Sequence, residues 1–217
     1  MLKTHILNPH IPTLCKGILA GMMISLGASA YLSIDNHYIG AILFTIGLYG
    51  IYTLDFYLYT GKVGFFLTEK DLPKLAVIWL GNLIGTVSIA WLICATRLLQ
   101  TSTLQHHATA YAATKLGDSY ASIFILGILC GLMMYIAAAA FKTTQNTANS
   151  IGGYIGLFLC VMIFLLLGFE HSIANMFYFT VAEAWSLHAV MALLVVSAGN
   201  AVGGLTIPIL LHPTTQH

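Results

Sequence analysis

Six stretches of the chain run without a single Asp, Glu, Lys or Arg: residues 17–34, 36–54, 75–96, 119–141, 143–169 and 184–217. They are 18, 19, 22, 23, 27 and 34 residues long, and each holds a segment of the roughly 20 residues that a helix needs to cross the hydrocarbon core of a bilayer. A charged residue at the centre of such a helix costs about 2.5–3.5 kcal/mol on insertion scales, which is why the charge-free run is the telling unit. The pattern predicts six transmembrane helices joined by short connections. Residues 1–217 then form one transmembrane domain, and residues 100–107, with His106 and His107, read as a solvated polar loop.

Two of the six stretches end badly for a regular helix. The second reaches Leu54 and then meets Asp55 and Leu58-Tyr59-Thr60-Gly61-Lys62-Val63-Gly64, two glycines and two charges within ten residues. The fifth runs over residues 155–167 and is then interrupted by Gly168-Phe169-Glu170-His171-Ser172-Ile173-Ala174-Asn175, before apolar residues resume at Met176-Phe177-Tyr178-Phe179. Glu, His, Ser and Asn at membrane depth are expensive unless they face protein or a wet path. Spans two and five are therefore expected to be broken helices.

The two halves echo each other. Gly17-Ile18-Leu19-Ala20-Gly21 pairs with Gly127-Ile128-Leu129-Cys130-Gly131, and Gly81-Asn82-Leu83-Ile84-Gly85 with Gly199-Asn200-Ala201-Val202-Gly203, at offsets of 110 and 118 residues. One such match mostly reports close helix packing; two in the same order point to a repeat, residues 16–99 and 118–211. Three spans per repeat is odd, so the second half enters the membrane inverted. Inverted three-plus-three repeats build channels and transporters with the solute site at the midplane.

Composition narrows the classes further. The chain is 59% hydrophobic and 7% charged, with a mean hydropathy of +0.88, against about 25% charged residues in soluble domains. A soluble globular domain and a disordered chain are excluded. So is a nucleic-acid binder, since 8 Lys+Arg against 7 Asp+Glu leave no basic patch for phosphates. Lys3, Lys16, Lys62, Lys70, Lys74 and Lys142 fall on one side of the six-span topology, and Arg97 and Lys115 on the other. The positive-inside rule puts both termini in the cytoplasm of a multi-pass cell-membrane protein. Lys62, Lys70 and Lys74 read as orientation charges. Cys15, Cys94, Cys130 and Cys160 are scattered without a CxxC pair and read as packing residues, as do Met22-Met23 and Met133-Met134. Neither a metal nor a cofactor is called for.

The run from Gly168 to Phe177 resembles the signature of the formate/nitrite transporter family. Leu58-Tyr59-Thr60 is similar to that family's Leu-Phe-Thr motif, with Tyr in place of Phe, and the paired Gly-Asn-x-x-Gly segments resemble its third- and sixth-span motifs. The likeness covers residues 16–209. It implies an all-α, aquaporin-like fold without water-channel activity, assembled as a homopentamer with one pore per protomer. The implied permeant is a small monovalent anion: formate, nitrite, hydrosulfide, acetate or lactate. By the same resemblance His171 is the central pore histidine, Thr60 the threonine that hydrogen-bonds it, and Lys115 the lysine that attracts anions beneath the outer vestibule. Leu58 and Tyr59 form one constriction, with an added hydroxyl from Tyr59, and Phe44, Leu48 and Phe164 the other.

A physical mechanism follows from these residues. A bare anion pays a prohibitive Born cost in hydrocarbon, which the N-terminal ends of half-helices reduce. His171, which titrates near 6.5 when unperturbed, could protonate a desolvated weak-acid anion so that the neutral acid crosses, giving a proton-linked flux that rises as pH falls. Glu170 is expected to face away from the pore and anchor the break together with Asn175, while Asn82 and Asn200 tie helix to helix. Three rival readings fit the residues less well. An intramembrane enzyme lacks HExxH or a GxS–His pair, and a haem-bearing anchor needs two deep histidines where only His171 is deep. A neutral-solute pore on the same fold lacks the twin Asn-Pro-Ala boxes of water channels.

Overall fold

The computed structural model describes residues 10–65, 72–101, 103–145, 147 and 150–211. Lys3 and Lys70 of the orientation count, and residues 212–217 of the last apolar stretch, lie outside the described residues. All regular structure among them is helical.

The chain opens with α1 (His10–Leu32), α2 (His37–Thr53) and the single turn α3 (Tyr59–Lys62), continued by a 3-10 turn over Val63–Phe65. Then come α4 (Leu72–Cys94), the turn α5 (Leu98–Thr101), α6 (Leu104–Gly117), α7 (Tyr120–Thr144), α8 (Ser150–Leu166), α9 (Ser172–Val181) and α10 (Leu187–Leu211). Four of these, α1, α4, α7 and α10, are long and apolar enough to cross a membrane. The other two long apolar helices, α2 and α8, have 17 residues each. At 1.5 Å per residue they reach about 25 Å, short of the roughly 30 Å hydrocarbon core.

Local chemistry sets the helix ends. Asn36 caps α2, its Oδ1 accepting the N–H groups of Tyr38 and Ile39, and Ser119 Oγ caps α7 by accepting from Ser122. The C-termini of α2 and α8 close alike. Phe56 N–H donates to Ile51 O at 2.8 Å past Asp55 (φ 52°), and Phe169 N–H donates to Phe164 O at 2.9 Å past Gly168 (φ 69°). A left-handed residue followed by this back-bond is the Schellman ending. It turns the chain away from the helix axis and leads into α3 and α9.

The residues read as a polar loop around His106 and His107 are helical instead. Both lie in the first turn of α6, where His107 Nδ1 is 2.9 Å from Leu32 O. The alanines of the following turns supply helix propensity that a search for charge-free apolar runs does not register.

The long helices pack in two close pairs, α1 with α4 and α7 with α10. Glycine makes the approach: a Cβ built on Gly85 would collide with the carbonyl oxygen of Ile18, and one on Gly203 with that of Ile128. The short helices α3 and α9 sit inside. α9 is buried along its whole length, and one continuous core joins Phe44, Leu48, Leu58, Phe164, Ile173 and Phe177. The exterior keeps large apolar side chains outward, with Ile151, Trp91 and Leu187 at 71%, 67% and 80% exposure. That is the surface of a protein whose solvent is lipid or another copy of itself.

Candidate functional site

The first turns of α3 and α9 meet. His171 is the N-cap of α9, and its Nδ1 accepts the N–H of Ala174 at 3.1 Å. An accepting Nδ1 carries no proton, so the ring hydrogen is on Nε2, which donates to Thr60 Oγ1 at 2.9 Å. This leaves the Thr60 hydroxyl hydrogen to point elsewhere. Both residues are 1% exposed or less.

Two asparagines hold these tips in the same way. Asn82 on α4 accepts the Tyr59 N–H at 2.8 Å and donates to Gly17 O and Tyr57 O, both at 2.8 Å. Asn200 on α10 accepts the Ser172 N–H at 2.9 Å and donates to Gly127 O at 2.9 Å and Glu170 O at 2.7 Å. In each case one side chain satisfies the amide that opens a short helix and the carbonyl that precedes it. Buried backbone groups outside regular structure need such partners.

The apolar candidates gather around the ring. Phe164 stacks on His171 with centroids 5.6 Å apart, and Phe44 meets Phe164 edge-on at 5.8 Å. Phe44, Leu48 and Ile51 lie one turn apart along the buried face of α2, and Leu58, at 1% exposure, precedes α3. Tyr59, the first residue of α3, packs against the same core, and its hydroxyl donates to Ser197 O on α10 at 3.2 Å.

Lys115, expected beneath the outer vestibule as the charge that attracts anions, is ion-paired. Its amine, 9% exposed, donates to Glu170 Oε1 at 2.7 Å, and the other oxygen of Glu170 accepts from Asn175 Nδ2 at 2.6 Å. Lys115 belongs to α6, whose packing against α9 brings the two charges together. An isolated charge at this depth would pay a desolvation cost of several kcal/mol, and the pair is the arrangement that offsets it. Among the described residues, Asn175 Oδ1, Ser172 Oγ and the Tyr52 hydroxyl are buried polar atoms without a hydrogen-bond partner.

Cavities lie on both sides of the cluster. One of about 190 Å³ is lined by Leu58, Tyr52, Lys62 and Lys142. One of about 20 Å³, room for a single water, lies against His171, Lys115, Asn175, Tyr31 and Tyr111. A third of about 450 Å³ opens past Tyr31, Tyr111, His37 and Tyr38. The sequence reading singles out neither tyrosine: Tyr31 lies near the end of the first charge-free run, and Tyr111 follows residues 100–107, between two of the six runs. Among the described residues no three His, Cys, Asp or Glu converge on a metal site. Both ring nitrogens of His171 are engaged, so neither is open to an iron axial position.

The chain matches the family model of the formate/nitrite transporters over residues 2–213. It belongs to that family, which is one of membrane-spanning transporters. Over 135 residues it is 33% identical to the nitrite transporter NirC of Escherichia coli (strain K12), covering 58% of this chain and 48% of that protein. Over 203 residues it is 27% identical to the formate channel FocA of Haemophilus influenzae, covering 76% and 69%. The chain thus spans about half the length of the nitrite transporters it matches. Its fold is that of a pentameric formate channel solved with formate bound, at a TM-score of 0.79 and 22% identity over 94% of this chain and 96% of the other. A second solved structure, an ion channel of the same family, matches at 0.74 and 23% identity over 96% and 90%.

Proposed function

We propose that this chain is one protomer of a homopentameric, proton-linked channel for small monovalent anions of the formate, nitrite and hydrosulfide class. The observation that carries the reading is the His171–Thr60 contact, held between two short helices by matching asparagines and walled by Phe44, Leu48 and Phe164. α2 with α3, and α8 with α9, are then the broken second and fifth spans of a six-span protomer. The two halves are an inverted repeat: matching Schellman endings, asparagine ties and glycine contacts recur in one order along both. Both termini face the cytoplasm.

The mechanism follows from proton placement. The anion enters from water, loses its hydration at the apolar ring, and takes hydrogen bonds from His171 Nε2–H and the Thr60 hydroxyl. The amides at the N-terminus of α9 add partial positive charge. A neutral ring gives a hydrogen bond but not its last proton, since the product would be imidazolate. The proton that neutralises the anion therefore comes from water in the adjoining cavities, and His171 is where anion and proton meet. The neutral acid then crosses Phe44, Leu48 and Phe164 without the Born cost, which is of order 20 kcal/mol for a bare ion at low dielectric.

The test is uptake of labelled formate, nitrite and hydrosulfide into proteoliposomes at pH 7.5 and 5.5. Above its own pKa a weak acid gains about tenfold in neutral fraction per pH unit, so wild-type flux should rise as pH falls. His171→Gln, which keeps a donor but cannot titrate, should retain the rise and lower flux by less than the roughly tenfold that loss of a hydrogen bond to a charged group would cost. A flat profile in that variant would make the ring itself the proton carrier. A well-assembled wild type that moves none of the three anions sinks the small-anion reading.

A further inference from the structure

Between the cavity at His171 and the wide cavity beyond it stand two tyrosines, and both line both spaces. Tyr31, 5% exposed at the end of α1, and Tyr111, half-buried on α6, bring their hydroxyl oxygens within 2.7 Å. Their rings are fixed from outside the pair. Phe44 meets Tyr31 edge-on with centroids 6.3 Å apart, and Tyr178 stacks on Tyr111 at 5.7 Å.

The hydrogen count of the pair does not close. Two hydroxyls bring two donor hydrogens, and one of these serves the bond between them. If Tyr31 donates to Tyr111, the hydrogen of Tyr111 has His37 Nδ1 at 3.4 Å, beyond good hydrogen-bond length. If Tyr111 donates to Tyr31, the hydrogen of Tyr31 has no second hydrogen-bond partner among the described residues. One O–H is left weakly bonded or unbonded in either arrangement. On the inner side, the Lys115 amine lies 5.7 Å from the centroid of the Tyr178 ring.

We propose that Tyr31 and Tyr111 form an anion-binding site ahead of the central histidine, selective for planar monoanions with two oxygen acceptors, such as a carboxylate or nitrite. The anion replaces the tyrosine–tyrosine bond: one of its oxygens takes the O–H of Tyr31 and the other that of Tyr111. The pair thereby parts and opens the small cavity at His171. An anion with a single acceptor atom, such as hydrosulfide or chloride, satisfies both hydroxyls less well and gains less. This inference rests on the anion-channel reading above and adds a second site to it.

The experiment measures initial uptake into proteoliposomes against concentration, for nitrite, formate and hydrosulfide, in wild type, Tyr31→Phe, Tyr111→Phe and Tyr38→Phe. The oligomer is checked by size exclusion. Tyr31→Phe and Tyr111→Phe should each raise the half-saturating concentration of nitrite and formate about tenfold, as for loss of a hydrogen bond to a charged group, and that of hydrosulfide much less. Tyr38→Phe, which lines only the wide cavity, should leave all three unchanged. Unaltered half-saturation in both tyrosine variants, with wild type transporting, overturns the site and leaves the channel reading standing. So does an equal gain in flux for every solute with no change in half-saturation, which is the mark of a steric plug. A wild type that moves no anion overturns the channel reading and the site together. Should a variant fail to assemble, the other decides. The wild type supplies a further readout, since nitrite binding must shift the tyrosine C–O infrared bands.

Discussion

At the scale of single residues, the buried pair of Lys115 and Glu170 has the largest energetic stake. Removing one charge leaves the other desolvated and alone, which costs about 3–5 kcal/mol, whereas removing both is often neutral. Lys115→Met and Glu170→Gln should therefore each lower the thermal midpoint of the detergent-purified protein by several degrees, and the double variant should recover most of that loss. Additive losses would show that the two groups act apart. The sequence announced Glu170 through its motif and Lys115 only through a family likeness. Nothing in the order of residues says that a lysine 55 positions upstream meets that glutamate, because the contact is made by α6 folding onto α9. The tyrosine pair was hidden for the same reason. By contrast, the segments that carry Thr60 and His171 were legible as places where an apolar run stops early, while the pairing of the two side chains came only from the family likeness.

At the scale of elements, the helix contacts and the helix ends can be tested separately. Gly85→Ala and Gly203→Ala each place a methyl on a facing carbonyl oxygen. Neither backbone can give without parting the helix pair, so each should destabilise by about 1–3 kcal/mol, the range for overpacking, seen as a lower thermal midpoint. Gly168→Ala meets no atom within 4 Å and fails for another reason: its φ of 69° is left-handed. It should cost about 1–2 kcal/mol, and Gly168→Asn, which tolerates that region, should cost less. An alanine as stable as wild type at all three positions would refute both accounts. Helix positions followed from the sequence because charge-free runs and glycine motifs carry them. α6 did not, because its alanines and polar residues have neither an apolar run nor a cap that stands out.

At the scale of the whole molecule, the charge asymmetry makes a geometric prediction. If both termini face the cytoplasm, the α1–α2 connection at Asp35 and the end of α7 at Gln145 lie on opposite sides of the membrane. In a chain freed of its four cysteines, Asp35→Cys should react with a membrane-impermeant maleimide added outside intact cells, and Gln145→Cys only after permeabilisation. The reverse pattern would invert the topology, and equal labelling would remove a span. The expectation rests on lysine positions alone, for the positive-inside rule needs only span boundaries. Which apolar faces would meet lipid and which another protein surface is not legible in the sequence, because both select the same residues.

The matched asparagine ties carry a consequence for how such a protein changes over generations. Asn82 and Asn200 grip only main-chain atoms at the tips, Tyr59 N–H and Tyr57 O on one side and Ser172 N–H and Glu170 O on the other. The side chains at those tips are left out of the grip. Mutation can therefore rewrite what each tip presents, leucine and threonine on one and histidine on the other, while the framework that presents them is inherited unaltered. Two tips held alike are free to differ in chemistry without differing in shape.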